Sequence, residues 1–380
     1  MTQKVVRFGV IGGGLMGRQF ASECSRWLHL LDISARPEIV AIADPSPAAR
    51  QWFLDRVPSL KAAEADYKAI LARDDIDAIY CAVPHTLHEQ VFIDVIEAGK
   101  HLLGEKPFGV DQAANDKILK AAAARPELIV RCSSEFPFFP GAQAVYEAVN
   151  SGRLGDIFEV RVDFSHCSDL DPNKKMNWKR SVELNGEYGV MGDLGMHAVH
   201  LPFRLGWVPT NVFALLSNIV KERPDDAGAL VPCLTWDNAT LACETTQGIP
   251  MIIDIKRIAP GETNTWSIEV YGTRGSIRWN TKAPKALWTL DYEPGAEQSW
   301  ANTDIGSQSV YKTIVDGYLE FGFSDSLLQM WAAYVDEVAN GDAMQGGFRC
   351  ATLEETAVQH ALFTAALESA ATKQAVAIAR

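Results

Sequence analysis

Two textures of hydrophobic patterning divide the chain near residue 131. Up to that point short apolar runs alternate with longer stretches whose apolar residues recur at helical spacing. The runs predict strands over 5–11, 39–43, 78–83, 101–104 and 128–131, and the amphipathic stretches predict helices over 15–30, 47–56, 67–72, 87–98 and 112–124. Such alternation implies α/β architecture, a parallel sheet covered on both faces, with ligands beyond the carboxyl ends of its strands. Beyond Cys132 the pattern changes to a helix over 141–151, a strand over 157–164, a polar irregular stretch over 166–187 and a helix over 188–205. Strand then follows strand over 212–219, 234–246, 250–258, 266–271, 276–280 and 286–290, and helices over 326–339 and 353–371 close the chain. Val, Ile and Thr with turn residues at short intervals predict a large, mostly antiparallel sheet. Helices on one face leave an open face for solvent or for a second subunit, so a homo-oligomer is expected. Two domains are expected, 1–131 and 132–380, because 380 residues exceed one ordinary core.

The first predicted strand runs straight into Gly12-x-Gly14-x-x-Gly17, and a helix begins near Leu15. In a dinucleotide site Gly12 makes the tight turn, Gly14 admits the pyrophosphate and Gly17 lets helix and strand pack closely. The N–H groups of the first turn, at Leu15 and Met16, then face the phosphates. A plain structural turn is the alternative, and the strand before and helix after argue against it. Asp44 closes the second strand, where a carboxylate accepts from the adenosine ribose hydroxyls and repels a 2′-phosphate. NAD is therefore expected over NADP, with Arg50 the one nearby cation that argues the other way.

Composition narrows the classes further. A net charge of −13 without a basic stripe argues against nucleic-acid and anionic-membrane partners. Seven dispersed cysteines without a CxxC pair read as reduced thiols. With neither a signal peptide nor a membrane-length apolar run visible, the expected location is the cytoplasm.

Two constellations carry candidate chemistry. Glu105-Lys106-Pro107 follows the strand over 101–104, where a lysine can hold a substrate hydroxyl and assist its proton loss. Asp193, His197 and His200 share a helix; at about 100° per residue, His197 lies about 40° round from Asp193 and His200 about 20° to the other side. Three readings compete: His197 as a base oriented by Asp193, a divalent metal held by all three, or a polar face of satisfied histidines. The dinucleotide domain upstream favours the first, which needs no metal. The stretch 166–187 carries Asp169, Asn173, Lys174, Asn177, Trp178, Lys179 and Arg180, donors and acceptors suited to sugar hydroxyls and an aromatic for a sugar face. Lys179 and Arg180 also admit an acidic sugar. The run FPFFP at 136–140 is expected at the domain junction.

Together, the GxGxxG, the EKP and the GxxxDxGxHxxH helix resemble the Gfo/Idh/MocA family, typified by glucose–fructose oxidoreductase and inositol dehydrogenase. Asp77-Ala78-Ile79 leading to Pro84-His85 and His88, Ala98-Gly99-Lys100-His101 and Tyr271-Gly272-Thr273-Arg274-Gly275 extend the resemblance over essentially the whole chain. It implies an N-terminal Rossmann domain and a C-terminal α/β domain with a broad open sheet, assembled as a homodimer or homotetramer through that sheet. It implies NAD(P)-dependent oxidation or reduction of sugars and polyols, with Lys106, Asp193 and His197 catalytic. Pro84, His88, Glu105 and Lys106 would border the cofactor; Lys106, Trp178, Lys179, Arg180, Asp193, His197 and His200 would meet substrate. A cis bond before Pro107 is also implied. His200 stands where inositol dehydrogenases resemble one another in having Asp, which opens the choice of base and of sugar. Two rival functions are a redox-neutral, NAD-dependent glycoside-cleaving enzyme or lyase, and a non-catalytic nucleotide sensor.

Overall fold

The computed structural model describes residues 3–306, 309–316 and 318–379. In the first sheet β1 (Lys4–Ile11), β2 (Ala35–Ala43), β3 (Ala62–Glu64), β4 (Ala78–Cys81), β5 (His101–Gly104) and β6 (Val130–Cys132) stand in the order β3-β2-β1-β4-β5-β6. Every ladder in it is parallel. The crossovers carry α1 (Leu15–Ser25), α2 (Pro47–Arg56), α3 (Tyr67–Leu71), α4 (His88–Glu97) and α5 (Gln112–Ala123). The order reverses between β1 and β4, which opens a crevice at their carboxyl ends, the position where ligands sit in such sheets. Ser46, Asp66 and Asp111 accept from main-chain N–H groups at the starts of α2, α3 and α5, so three of these helices begin where the sequence supplies a cap.

The remaining elements are α6 (Pro140–Asn150), β7 (Ile157–Ser165), α7 (Val182–Asn185), α8 (Val190–Arg204) and β8 (Pro209–Ser217), then β9 (Glu222–Pro224), β10 (Leu230–Pro232), β11 (Asn238–Thr245) and β12 (Pro250–Lys256). After these come β13 (Thr265–Gly272), β14 (Gly275–Asn280), β15 (Ala286–Asp291), β16 (Ala301–Asp304), α9 (Phe323–Asn340), α10 (Leu353–Thr372) and β17 (Val376–Ala377). The described residues place nine of these strands in one sheet, ordered β16-β15-β14-β13-β7-β12-β11-β8-β17. Among the described residues only the β7–β12 ladder of this sheet is parallel. Burial alternates along β12 and β13: Met251, Ile253, Ile255, Trp266, Ile268 and Val270 point into the core. That face meets α6, α8 and α10. The opposite face carries charge ladders, among them Lys256 with Asp163 and Arg161 with Glu159.

Local chemistry explains where the pattern misled. The helix predicted to residue 30 ends at Ser25, and Leu30 instead bridges to Thr313. The strand predicted over 234–246 starts only at Asn238, because Asp237 turns inward to pair with Arg180 and to accept from the N–H groups of Ile219 and Val220. The strands β3, β16 and β17 carry too few β-branched residues to announce themselves. α9 returns to the first sheet, where Trp331 packs on Phe20 and Tyr80 and Tyr334 packs on Phe8. Truncating a buried aromatic of this kind costs roughly 3–5 kcal/mol, so residues far along the chain complete the N-terminal core.

Candidate active site

The glycine turn does what its spacing requires. Gly12 has φ 99°, and a Cβ there or at Gly17 would run into a main-chain carbonyl, that of Ala82 and that of Gly12 respectively. A Cβ on Gly14 would meet nothing within 4 Å, since this glycine looks into open space. The first helical bond of α1 is Arg18 N–H to Gly14 carbonyl, 3.1 Å, which leaves the earlier N–H groups for an anion. Asp44 lies beside this turn and accepts from the N–H groups of Gly13 and Ser46 at 2.7 and 2.8 Å. The Arg50 guanidinium donates to the carbonyls of Asp44 and Pro45. These residues fit a dinucleotide: a cradle without side chains, a helix N-terminus and a carboxylate, Asp44, just past the second strand and hydrogen-bonded to the glycine turn.

From this turn a cavity of about 540 Å³ runs past Val83 and Pro84 to Lys106, Asp193 and His197. A second cavity of about 390 Å³ adjoins it, sharing Trp178, Lys179 and Asp193 and extending to Asp169, Asn177 and Arg257. The Lys106–Pro107 bond is cis. α8 is preceded by Gly189 at its N-cap, φ 57°, where a Cβ would lie 2.6 Å from the Trp236 main-chain nitrogen. That close approach sets Asp193, in the helix's first turn, against three cations.

Those three cations define the electrostatics. Lys106 Nζ lies 3.1 Å from Asp193 Oδ1 and also donates to the Asp193 carbonyl. Lys179 Nζ is 3.0 Å from both carboxylate oxygens, and Arg257 Nη2 is 2.9 Å from Oδ2. Burial pushes the Asp193 carboxyl up, but Lys106, Lys179 and Arg257 hold it well below the usual range. Burial lowers Lys106, and Asp193 and Glu105 more than restore it, so the ammonium is kept. Lys179 ends lowered, because burial and the neighbouring Lys106 and Arg257 outweigh Asp193.

His197 does not touch Asp193. Its Nδ1 faces Glu135 Oε2 at 3.5 Å, and the edges of Phe136 and Phe164 clamp the ring. Burial and Lys106 push the imidazole well below its usual range, so the ring is neutral. Burial and the nearby Glu105 push the Glu135 carboxyl up to about 8.

Three further expectations are corrected. His200, three residues and ~4.5 Å further along the helix, is buried against Arg204 and Glu355 and lines neither cavity. Arg180 is buried against Asp237 and lines neither cavity. His88 lies behind the cavity wall, its ring nitrogens 2.6 and 2.9 Å from the carbonyls of Pro107 and Val83, where it holds two loops together. Glu105 lines the cavity and accepts from Tyr80 Oη at 2.7 Å. Among the described residues no three His, Cys, Asp or Glu side chains converge as a metal ion requires. Sequence reasoning missed Glu135, His166, Arg257 and Phe323. Glu135 follows β6, so its place beyond a strand's carboxyl end was a usable signal; Arg257 follows β12 with no local mark.

Comparison with known proteins bears on the family and the fold. Residues 6–132 match the model of an oxidoreductase family with an NAD-binding Rossmann fold, and residues 142–278 match the GFO/IDH/MocA C-terminal domain. An uncharacterized oxidoreductase of Synechocystis sp. is 32% identical over 55% of this chain and 56% of its own length, so the chain spans just over half of that relative. Levoglucosan dehydrogenase of Pseudarthrobacter phenanthrenivorans is 25% identical over 72% of this chain and 73% of its own length. Inositol 2-dehydrogenase of Rhizobium meliloti is 26% identical over 74% and 78%. In fold, a levoglucosan dehydrogenase solved with NADH and levoglucosan superposes with a TM-score of 0.89 at 22% identity, covering 99% of this chain and 100% of that one.

Proposed function

This chain belongs to the Gfo/Idh/MocA oxidoreductase family, and from that premise we propose that it is an NAD-dependent dehydrogenase oxidising a hydroxyl of a sugar, polyol or sugar derivative. One observation carries the reading. A single cavity joins the glycine turn, Gly14 to Met16, to Lys106, Asp193 and His197. A nicotinamide dinucleotide held by Gly14 to Met16 would supply the hydride acceptor for these side chains. Trp178 and Lys179 form the wall toward the adjoining cavity, where Asp169, Asn177 and Arg257 offer hydrogen-bonding groups suited to a hydroxyl-rich substrate.

In this reading neutral His197 takes the hydroxyl proton as the carbinol loses its hydride. Lys106 is held cationic by Asp193 and steadies the oxygen while negative charge grows on it. Asp193 acts on the lysines; it does not orient the histidine. Holding carbinol, acceptor and base in register supplies roughly 7–11 kcal/mol of the barrier reduction. Asp44 supports NAD over NADP, because its carboxylate would repel a 2′-phosphate. We assign residues 1–131 to cofactor and 132–380 to substrate and assembly, and propose a homodimer or homotetramer through the open sheet face. Seven free thiols support a cytoplasmic location; no helix among the described residues is long and apolar enough to cross a membrane.

The test is NADH formation when protein and NAD meet a panel of sugars, polyols and sugar acids. Turnover with one class establishes the activity and the class together. Silence across the panel, with NAD binding shown by a thermal shift, would overturn the proposal in favour of a redox-neutral lyase or a sensor.

A further inference from the structure

We infer that Glu135 and His197 form one proton-accepting pair, in which the hydroxyl proton taken by His197 comes to rest on Glu135. The inference rests on the dehydrogenase reading and deepens it. Glu135 is buried at the end of the first sheet, lines the cofactor cavity, and places Oε2 3.5 Å from His197 Nδ1. That ring nitrogen is buried and makes no hydrogen bond among the described residues, so the Glu135 carboxyl at 3.5 Å is an ion-pair-range neighbour of an otherwise unpartnered donor. Asp193, on the same helix as His197, is fully engaged by Lys106, Lys179 and Arg257. Phe136 and Phe164 hold the ring edge-on, so the Nδ1 to Glu135 direction is fixed and Nε2 is the nitrogen left to the cavity.

The proton balance follows from two opposed preferences. Glu135 is faced by Glu105, Lys106 and Tyr80, and burial with Glu105 favours its protonated form. His197 is faced by Lys106, Asp193, His166 and His200, and burial with Lys106 disfavours an imidazolium. The competent state is therefore carboxylate with an Nδ1–H imidazole. As the substrate C–H bond breaks and its electron pair leaves with hydrogen for the nicotinamide, the O–H bond breaks and its proton bonds to Nε2. The Nδ1–H bond then breaks and a new O–H bond forms at Glu135 Oε2. The ring has changed tautomer, no imidazolium persists, and the carbonyl product carries no charge.

The sign of the pH dependence is set by the same balance. Below the Glu135 ionisation the pair already holds the proton, so alcohol oxidation is suppressed and carbonyl reduction favoured; above it the order reverses.

The test is 15N NMR of the histidine rings in the chain without cofactor, titrated across the neutral to alkaline range, with the His197 signals identified by their loss in His197→Gln. The expected result is a switch between two neutral tautomers near the midpoint of Glu135. A single tautomer throughout, or passage to imidazolium, would overturn the inference, and neither depends on finding a substrate. Glu135→Gln is expected to abolish the switch and to cut oxidation about 10²-fold with a flattened alkaline limb, while KM for NAD holds. An unchanged pH profile in that variant would also overturn it. Should Glu135→Gln fail to fold, the wild-type titration still decides. A silent sugar panel with the tautomer switch intact would instead count against the dehydrogenase reading.

Discussion

Asp193→Asn keeps the shape of the side chain and removes one charge from a buried cluster. In the wild type that carboxylate neutralises Lys106, Lys179 and Arg257, each with a nitrogen within 3.1 Å. Breaking a buried ion pair by removing one partner costs roughly 3–5 kcal/mol, because the other charge stays desolvated. Two features bring the expected cost to about 3 kcal/mol, the lower end of that range. The Lys179 side chain is 39% exposed and can swing its ammonium into water, and an ammonium whose pKa is already lowered sheds its proton readily. Arg257, 2% exposed, has neither escape. Equilibrium urea unfolding followed by the fluorescence of the ten tryptophans measures the loss. Because the folded-state pKa of Asp193 is depressed, its contribution is complete above the unfolded value near ~3.9 and fades only as pH falls below it. The gap between wild type and variant should accordingly stay constant from mildly acid to mildly alkaline pH. Turnover should fall about 10²-fold or more, since Lys106 loses the partner that positions it. An Asn variant as stable and as active as wild type would refute the claim that Asp193 organises the cations.

Three further outcomes follow from the same geometry. Lys106→Ala and His197→Ala should each cut turnover by about 10²-fold or more with NADH affinity near wild type, measured by steady-state kinetics and fluorescence titration. His200→Ala, off the cavity and against Glu355 and Arg204, should lower the melting temperature and leave the chemical step in place. Gly14→Val should abolish NADH binding without a stability loss, because its Cβ enters open space; Gly17→Ala should destabilise the fold, because its Cβ meets the Gly12 carbonyl. Calorimetric titration paired with thermal melts separates those two.

Local signals were the legible ones. The fingerprint, Asp44 and the EKP turn each sit within a few residues of the strand that positions them, so spacing alone located them. The position of Asp193 and His197 on one helix face was also readable. Their partners were not, because Glu135 and Arg257 lie in segments just past strands and more than sixty residues away in sequence, brought near only by the tertiary fold. The helix-face argument failed at His200 for a related reason. α8 is buried on nearly all sides, so a rotation of ~60° and one further turn carry a side chain from the cavity to α10. Sheet edges were hidden too: β3 and β16 are short and weakly apolar, held by neighbouring ladders more than by their own propensity.

In the proposed reaction a sugar or polyol carbon gives its hydride to nicotinamide in the cavity between Gly14 and His197. Its most direct test offers the protein NAD with sugars and cyclitols deuterated at every carbinol carbon, and weighs the reduced cofactor by mass spectrometry. Reduced nicotinamide should be one mass unit heavier, formed in step with a carbonyl product and lost in His197→Ala. Consumption of the sugar with no labelled reduced cofactor, or reduced cofactor carrying only protium, would contradict it.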